Sequence, residues 1–376
     1  MERDVEGNMT YRTLGRTGLE TSTIGLGTEY LYKQSRETVN TVIHTAIDNG
    51  VNYIDLVFSF PQFLENIGSA LKGYRDKVFL AVHLGSAEIN GQYKKTRDIK
   101  ECRNAFLDSL SYLGTDYADI VNIHFVKTKK EYDAILSAGI IDLAHQLKED
   151  NKACYVGMST HDLKAAITAA ESGVMDMIMI QVNIANNAMP HRDEMLSMCA
   201  KNKVGVVAMK PFAGGKLFQK NRTVRIAQYQ TGGAALKKKI PSDITPVQCI
   251  SYVLSQVGVC TTVPGVKNVE ELHSVLQYMD ATPEEKDYSS ILTSFKEYIT
   301  GECVYCNHCL PCPASIDIGG IIRLLDTSGT ESVQQKYDVL SAKASDCTEC
   351  GACVERCPFE VDVLTKMKRA VAVFEQ

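Results

Sequence analysis

Eight short apolar runs, each followed by a longer amphipathic stretch, recur between Thr21 and about Asp280 and constrain the fold more than any other feature. The runs are Thr23–Gly27, Asn52–Asp55, Val78–His83, Asp119–His124, Ala153–Ser159, Met177–Asn183, Val204–Lys210 and Cys260–Pro264. The segments between them carry helical apolar spacing, as at Ile135, Ile140, Ile141, Leu143, Ala144 and Leu147. Strand–helix units repeated eight times over ~250 residues predict an α/β fold, a (β/α)8 TIM barrel, rather than a six-stranded open sheet. Gly25-Leu26-Gly27 lacks the third glycine of a dinucleotide fingerprint, which also argues against an open Rossmann sheet.

Chemistry in such a barrel gathers at the C-terminal ends of the strands. Those ends carry Glu29, Asp55, His83, His124, Gln181, Asn183 and Lys210. A buried strand that ends in an ionisable group needs a partner or a function. Asp55, His83 and His124 are therefore the candidate catalytic residues, as acid, base or orienting groups. Two histidines and a carboxylate on adjacent strands equally match the ligand set of a non-haem iron or zinc site. Hydrogen-bonded remnants of a degenerate pocket are the third reading. His161 reads as a helix-start residue, and Met175, Met177 and Met179 as core. The Lys237-Lys238-Lys239 run, beside Gly232-Gly233 and Pro241, reads as a solvated loop inserted between the seventh strand and its helix.

A net charge of −5 gives no counterion-release drive toward nucleic acid. No run of eighteen apolar residues exists, and the acidic opening Met1-Glu2-Arg3-Asp4 is not a secretory leader, so no membrane is expected and the location is cytoplasmic. Of the 13 cysteines, eight lie at or after Cys303. Cys303-x2-Cys306-x2-Cys309-x2-Cys312-Pro313 is followed by Cys347-x2-Cys350-x2-Cys353-x3-Cys357-Pro358, and the second run has the two-cluster ferredoxin spacing. Cys303, Cys306 and Cys309 with Cys357 would hold one 4Fe–4S cluster, and Cys347, Cys350 and Cys353 with Cys312 the other. A pair of zinc sites is the alternative use of the same thiols. Cys102, Cys154, Cys199, Cys249 and Cys260 read as core. After Asp280, a charged helix from Pro283 to Tyr298 leads to a boundary at Gly301.

Tyr11-Arg12-Thr13-Leu14-Gly15-Arg16-Thr17-Gly18-Leu19, followed by Ile24-Gly25-Leu26-Gly27-Thr28, resembles the opening of the aldo-keto reductases. Asn52-Tyr53-Ile54-Asp55, Asp116 to His124, Val156-Gly157-Met158-Ser159 and Val263-Pro264-Gly265 follow in family order. With its cysteine-rich tail the chain resembles the iron–sulfur subgroup of that family. The resemblance implies a barrel over residues 1–285, then a linker helix and a mostly helical, dicluster ferredoxin-like domain over residues 286–376. It implies NADP(H) or NAD(H) bound without a Rossmann domain, with Ser159, Gln181 and Asn183 toward the nicotinamide, Gly265 and Lys267 toward the adenosine phosphate, and Lys210 as a further cofactor-binding residue. It also implies an Asp-Tyr-Lys-His tetrad. Asp55 and His124 match it, but the tyrosine position holds Phe60 and the lysine position His83. A phenyl ring donates no proton, and an imidazole is not a permanent cation.

The chain is thus expected to be an iron–sulfur oxidoreductase of a small organic substrate, suited to an anaerobic cell and fed by a redox partner protein. A flavin in the barrel is the other cofactor candidate, because clusters pass single electrons whereas nicotinamide carries a hydride. The alternative is an electron-transfer or partner-binding protein with a catalytically degenerate barrel.

Overall fold

The computed structural model describes residues 9–218, 244–292, 301–303, 305–328 and 331–375, and the backbone of residues 223–226 and 236–239. Eight parallel strands lie side by side in chain order: β1 (Leu26–Gly27), β2 (Tyr53–Leu56), β3 (Phe79–Leu84), β4 (Ala118–Val126), β5 (Ala153–Thr160), β6 (Met177–Gln181), β7 (Gly205–Met209) and β8 (Val259–Val263). All nine residues of β4 are buried, as expected of a parallel strand covered on both faces. The ring is completed by parallel bridges between Ile24 and Thr262 and between Gly27 and Gly265. Gly27 permits that closure, since a Cβ there would lie 2.8 Å from the Val263 carbonyl oxygen. Helices such as Arg36–Asp48, Ile99–Leu113 and Leu163–Ser172 wrap the ring, their starts fixed by the side-chain caps Ser35, Asp98 and Asp162.

Period-two alternation decides what fills the barrel. Tyr53, Ala81, Ile120, Met177, Met179 and Val207 form an interior apolar cluster, with Leu14 from the N-terminal segment packed into it. Two residues further along β2, β3 and β4, the same faces present Asp55, His83 and Asn122, and His124 follows on β4. Register places Asp55 beside Ala81 and His83 beside Asn122. The apolar layer is thus a floor for a polar layer.

Several local expectations are corrected. An antiparallel hairpin, Ser86–Ile89 with Gln92–Lys95, intervenes between β3 and its helix. Its turn residues Asn90 and Gly91 both take positive φ, which suits the twist of a two-residue hairpin. The lysine run lies on a strand, Leu236–Lys239, paired with Thr223–Ile226, and so is not a loop; the insertion does sit between β7 and its helix. Cys154 is exposed on β5 and is not core, whereas Cys102, Cys199, Cys249 and Cys260 are buried. The charged helix after Asp280 is two short helices, Pro283–Lys286 and Ser289–Leu292, and its remainder lies outside the described residues.

The tail has a hydrophobic cluster of its own, built from residues such as Ile318, Ile321, Ile322, Val363, Met367 and Phe374. It contains a local repeat. Cys312-Pro313-Ala314-Ser315-Ile316-Asp317-Ile318 matches Cys357-Pro358-Phe359-Glu360-Val361-Asp362-Val363 in pattern. Asp317 and Asp362 cap the following helices, Ile318–Asp326 and Val363–Phe374, with nearly identical backbone angles (φ −74°, ψ 78° and φ −75°, ψ 79°). Those two helices pack together.

A buried ion pair joins the tail to the loop after β7. Lys216, with its side chain 2% exposed, lies 2.9 Å from both Glu302 and Asp326. Asp326 also accepts from Tyr305 and pairs with Lys366. Removing one partner of a buried pair strands the other charge. Lys216→Met is expected to destabilise the protein by about 3 kcal/mol, measured by urea unfolding, and a loss below about 1 kcal/mol would show that the contact does not hold the two parts together.

Candidate functional site

The polar layer is a continuous hydrogen-bonded chain. His83 Nε2 lies 2.9 Å from Asp55 Oδ1, and His83 Nδ1 lies 2.8 Å from His124 Nδ1. His124 Nε2 lies 2.5 Å from the hydroxyl of Tyr93. With one proton on each imidazole, and the Asn122 amide turned so that its oxygen meets His83 Nε2, the chain has a single polarity. The Asp55 carboxylate accepts from His83 Nε2–H, His83 Nδ1 accepts from His124 Nδ1–H, and His124 Nε2 accepts from Tyr93 O–H. Burial, then the neighbouring His83, holds the His124 pKa well below the usual histidine range, which keeps that ring neutral. Burial likewise pushes the Tyr93 phenol up, so it remains a donor.

Tyr93 was not among the expected residues. It belongs to the hairpin after β3, 2% exposed, and the Asn90-Gly91 turn is the sequence signal that marks that hairpin. Arg97 holds the far side of the chain, donating to the carbonyls of His124 and Phe125 at 2.7 and 3.1 Å. Phe125 has a left-handed backbone (φ 40°) beside a register shift in β4, and its N–H donates to Ser159 Oγ at 2.8 Å. That irregularity interrupts the pairing before Val126 rejoins it, and Phe125 there lines the barrel cavity.

A cavity of about 350 Å³ opens above the chain, and Asp55, His83, His124, Phe125 and His161 line it. Its roof comes from the tail through Cys306, His308 and Arg323. His308 stacks on Phe125 with ring centres 3.6 Å apart and planes 4° apart. Gln92, next to Tyr93, exchanges hydrogen bonds with both backbone groups of Cys312.

Of the expected cofactor residues, Ser159, Lys210, Gly265 and Lys267 reach the cavity wall, whereas Gln181 and Asn183 do not line it. Asn183 caps its own turn and donates to the Lys210 carbonyl. Burial pulls the Lys210 pKa down, but Glu29 at 3.6 Å leads the opposing effects and the balance is a raised value, so Lys210 stays charged. Lys267 pairs with Glu271 at 2.7 Å. Phe60 stacks on Tyr32 (4.3 Å between centres) and is not on the cavity wall. Asp55, His83 and His124 follow one another in a line, and among the described residues no three Cys, His, Asp or Glu side chains converge to hold a single metal ion.

The tail thiols lie close to one another. Burial first, then Cys306, Cys303, Cys357 and Cys353, pushes the Cys309 thiol up. Cys309, Cys312, Cys347, Cys350 and Cys353 surround a second, small cavity. Backbone N–H groups of Tyr305 and Phe359 donate to the sulfurs of Cys303 and Cys357, each at 3.4 Å. A tetrahedral zinc site needs sulfurs about 3.8 Å apart, from Zn–S bonds of about 2.3 Å. A cluster spreads its four thiolates more widely and draws on amide–sulfur hydrogen bonds.

The aldo/keto reductase family model matches residues 23–294. The oxidoreductase YqkF of Bacillus subtilis is 23% identical over 73% of this chain and 92% of its own length. L-glyceraldehyde 3-phosphate reductase of Escherichia coli is 25% identical over 56% of this chain and 64% of its own. An aldo-keto reductase of Bacillus halodurans, solved in its holo form, superposes over 76% of this chain and 96% of its own with a TM-score of 0.63 at 23% identity, a likeness of fold. The cysteine-rich tail lies beyond the residues that the family model matches.

Burial also holds His161 well below the usual histidine range, with the Lys210 charge adding to it. The unfolded chain takes up protons at these histidines near pH 6.5 and the folded chain does not. Their contribution is complete above pH 6.5 and is lost as pH falls below it. Unfolding free energy should drop by up to about 1.4 kcal/mol per pH unit for each such histidine. Denaturant titrations at pH 7.5, 6.5 and 5.5 should show this slope, and His161→Phe should reduce it by one proton.

Proposed function

The chain belongs to the aldo/keto reductase family, and we propose that it is an iron–sulfur oxidoreductase that reduces a small organic carbonyl compound in the barrel cavity. The carrying observation is the Asp55–His83–His124–Tyr93 chain under a roof that contains Cys306 and His308. The reaction adds two electrons and two protons to C=O and gives the alcohol. Eight tail cysteines would hold two 4Fe–4S clusters in the pairing Cys303, Cys306, Cys309 with Cys357 and Cys347, Cys350, Cys353 with Cys312. When bound, such clusters supply single electrons. The repeated Cys-Pro-x-x-(Ile/Val)-Asp segments and the paired N–H···S bonds support this two-seat, ferredoxin-like reading of residues 286–376. A redox partner protein would feed the tail. NADP(H) is compatible with the barrel, and Lys267, which pairs with Glu271 at 2.7 Å, is the residue that would meet a 2′-phosphate.

In this reading Asp55, His83 and His124 are the catalytic residues. His124, at the cavity wall, would release His83 and give its Nδ1 proton to the developing alkoxide as its Nε2 takes the Tyr93 proton, so that the ring stays neutral and Tyr93 is reprotonated from solvent. His83 with Asp55 orients the ring before that transfer. This arrangement supplies an acid where the family's tyrosine position holds Phe60, which faces away from the cavity. Asp55→Asn removes the charge that sets the polarity and should slow turnover by about 10²–10⁴-fold without unfolding the protein.

Anaerobically prepared protein should carry about eight irons and be brown, since two cubanes hold four each. Cys350→Ala should lose half of that iron. Dithionite-reduced protein should be reoxidised by a carbonyl substrate, followed at the visible bands, and Asp55→Asn should retard it. Stoichiometric zinc without visible absorbance would refute the proposal.

A further inference from the structure

Most polar groups on the cavity wall already have partners. Both nitrogens of His83 and of His124 belong to the chain, Ser159 Oγ takes the Phe125 N–H, Thr28 donates to the Asp55 carbonyl and Thr160 to that of Val126. What is left is specific. Nδ1 and Nε2 of His161, Nδ1 of His308 and Oε1 of Glu29 are buried with no partner. Buried polar atoms are nearly always hydrogen-bonded, so unpaired atoms on residues that line one cavity mark a place for a ligand. His161 is 6% exposed, and its ring centre lies 5.4 Å from that of His308. One ring comes from the end of β5 and the other from the tail. Phe125 and Phe359 flank His161 at 5.9 and 4.8 Å.

We propose that His161 and His308 bind the oxygen function of an uncharged ligand with an apolar body, forming a subsite that is complete only when the tail covers the barrel. The proposal rests on the barrel cavity being the substrate site. A neutral imidazole offers one donor and one acceptor, which match a hydroxyl or carbonyl group. The fixed charges nearby are already engaged: Lys210 with Glu29, Lys267 with Glu271, and Arg323 over the rings of Tyr30 and Tyr305, 4.7 Å from each. Two of these cations are already balanced by carboxylates, which favours an uncharged ligand over a phosphate or carboxylate. Phe125, Met209, Phe212 and Phe218 supply the apolar wall.

The test uses the full chain, prepared anaerobically, with 4′-hydroxyacetophenone and benzyl alcohol as uncharged probes, malonate as the anion and NADPH as the nucleotide. Binding is read by calorimetry, and His161 is read directly by its carbethoxylation, mapped by mass spectrometry. The uncharged probes should bind and protect His161, and malonate should not. His161→Phe should weaken binding by at least ~10-fold and His161→Gln by less, since glutamine keeps a donor and an acceptor. If His161→Phe fails to fold, protection in the wild-type protein decides. Absence of binding by both uncharged probes, equal protection by malonate, or protection by NADPH alone would overturn the proposal. Because none of these readouts needs turnover or iron, failure here is separable from failure of the redox assignment.

Discussion

The Asp55 carboxylate, the acceptor at one end of the hydrogen-bonded chain, sets the direction of every proton behind it. A carboxylate accepts only, so it fixes the proton of His83 on Nε2, and that choice passes through His124 to Tyr93. The chain needs register as well as charge. Asp55, His83 and His124 come from three adjacent strands, and their alternation places all three inside the barrel, above Tyr53, Ala81 and Ile120. A shift of one residue in any of these strands would turn its member outward.

The cavity belongs to neither half of the chain alone. The barrel supplies floor and walls, and the tail supplies the roof through Cys306, His308 and Arg323. Polar contacts hold the roof in place: Lys216 to Glu302 and Asp326, and Gln92 to the Cys312 backbone. Gln92 and Tyr93 are neighbours on one strand, so their side chains point to opposite faces, one to the tail and one to His124. The hairpin therefore reads both halves at once.

Much of the architecture was legible in the amino-acid order. Eight apolar runs became eight strands because a parallel barrel buries both strand faces, which leaves little else for such runs to do. The strand-end positions of Asp55, His83 and His124 followed from the same pattern. Tyr93 was hidden because a two-stranded excursion after β3 interrupts the strand–helix rhythm, although Asn90-Gly91 announces it. His161 was read as a helix start, but Asp162 is the cap, and the histidine before it turns to the cavity. Gln181 ends β6 as expected, whereas Asn183 lies beyond the strand, capping the next turn and donating to the Lys210 carbonyl. Cys154 faces outward because alternation along β5 alone decides its side. Contacts between distant segments, such as Phe125 with His308, have no local signature.

The order of the elements along the chain has a temporal side. Barrel closure joins Ile24 to Thr262 and Gly27 to Gly265, so the ring cannot be completed until almost all of its strands have been synthesised. The roof residues come later still. During synthesis the floor is laid first, the wall is sealed next, and the lid arrives last, over a vessel that has already taken shape.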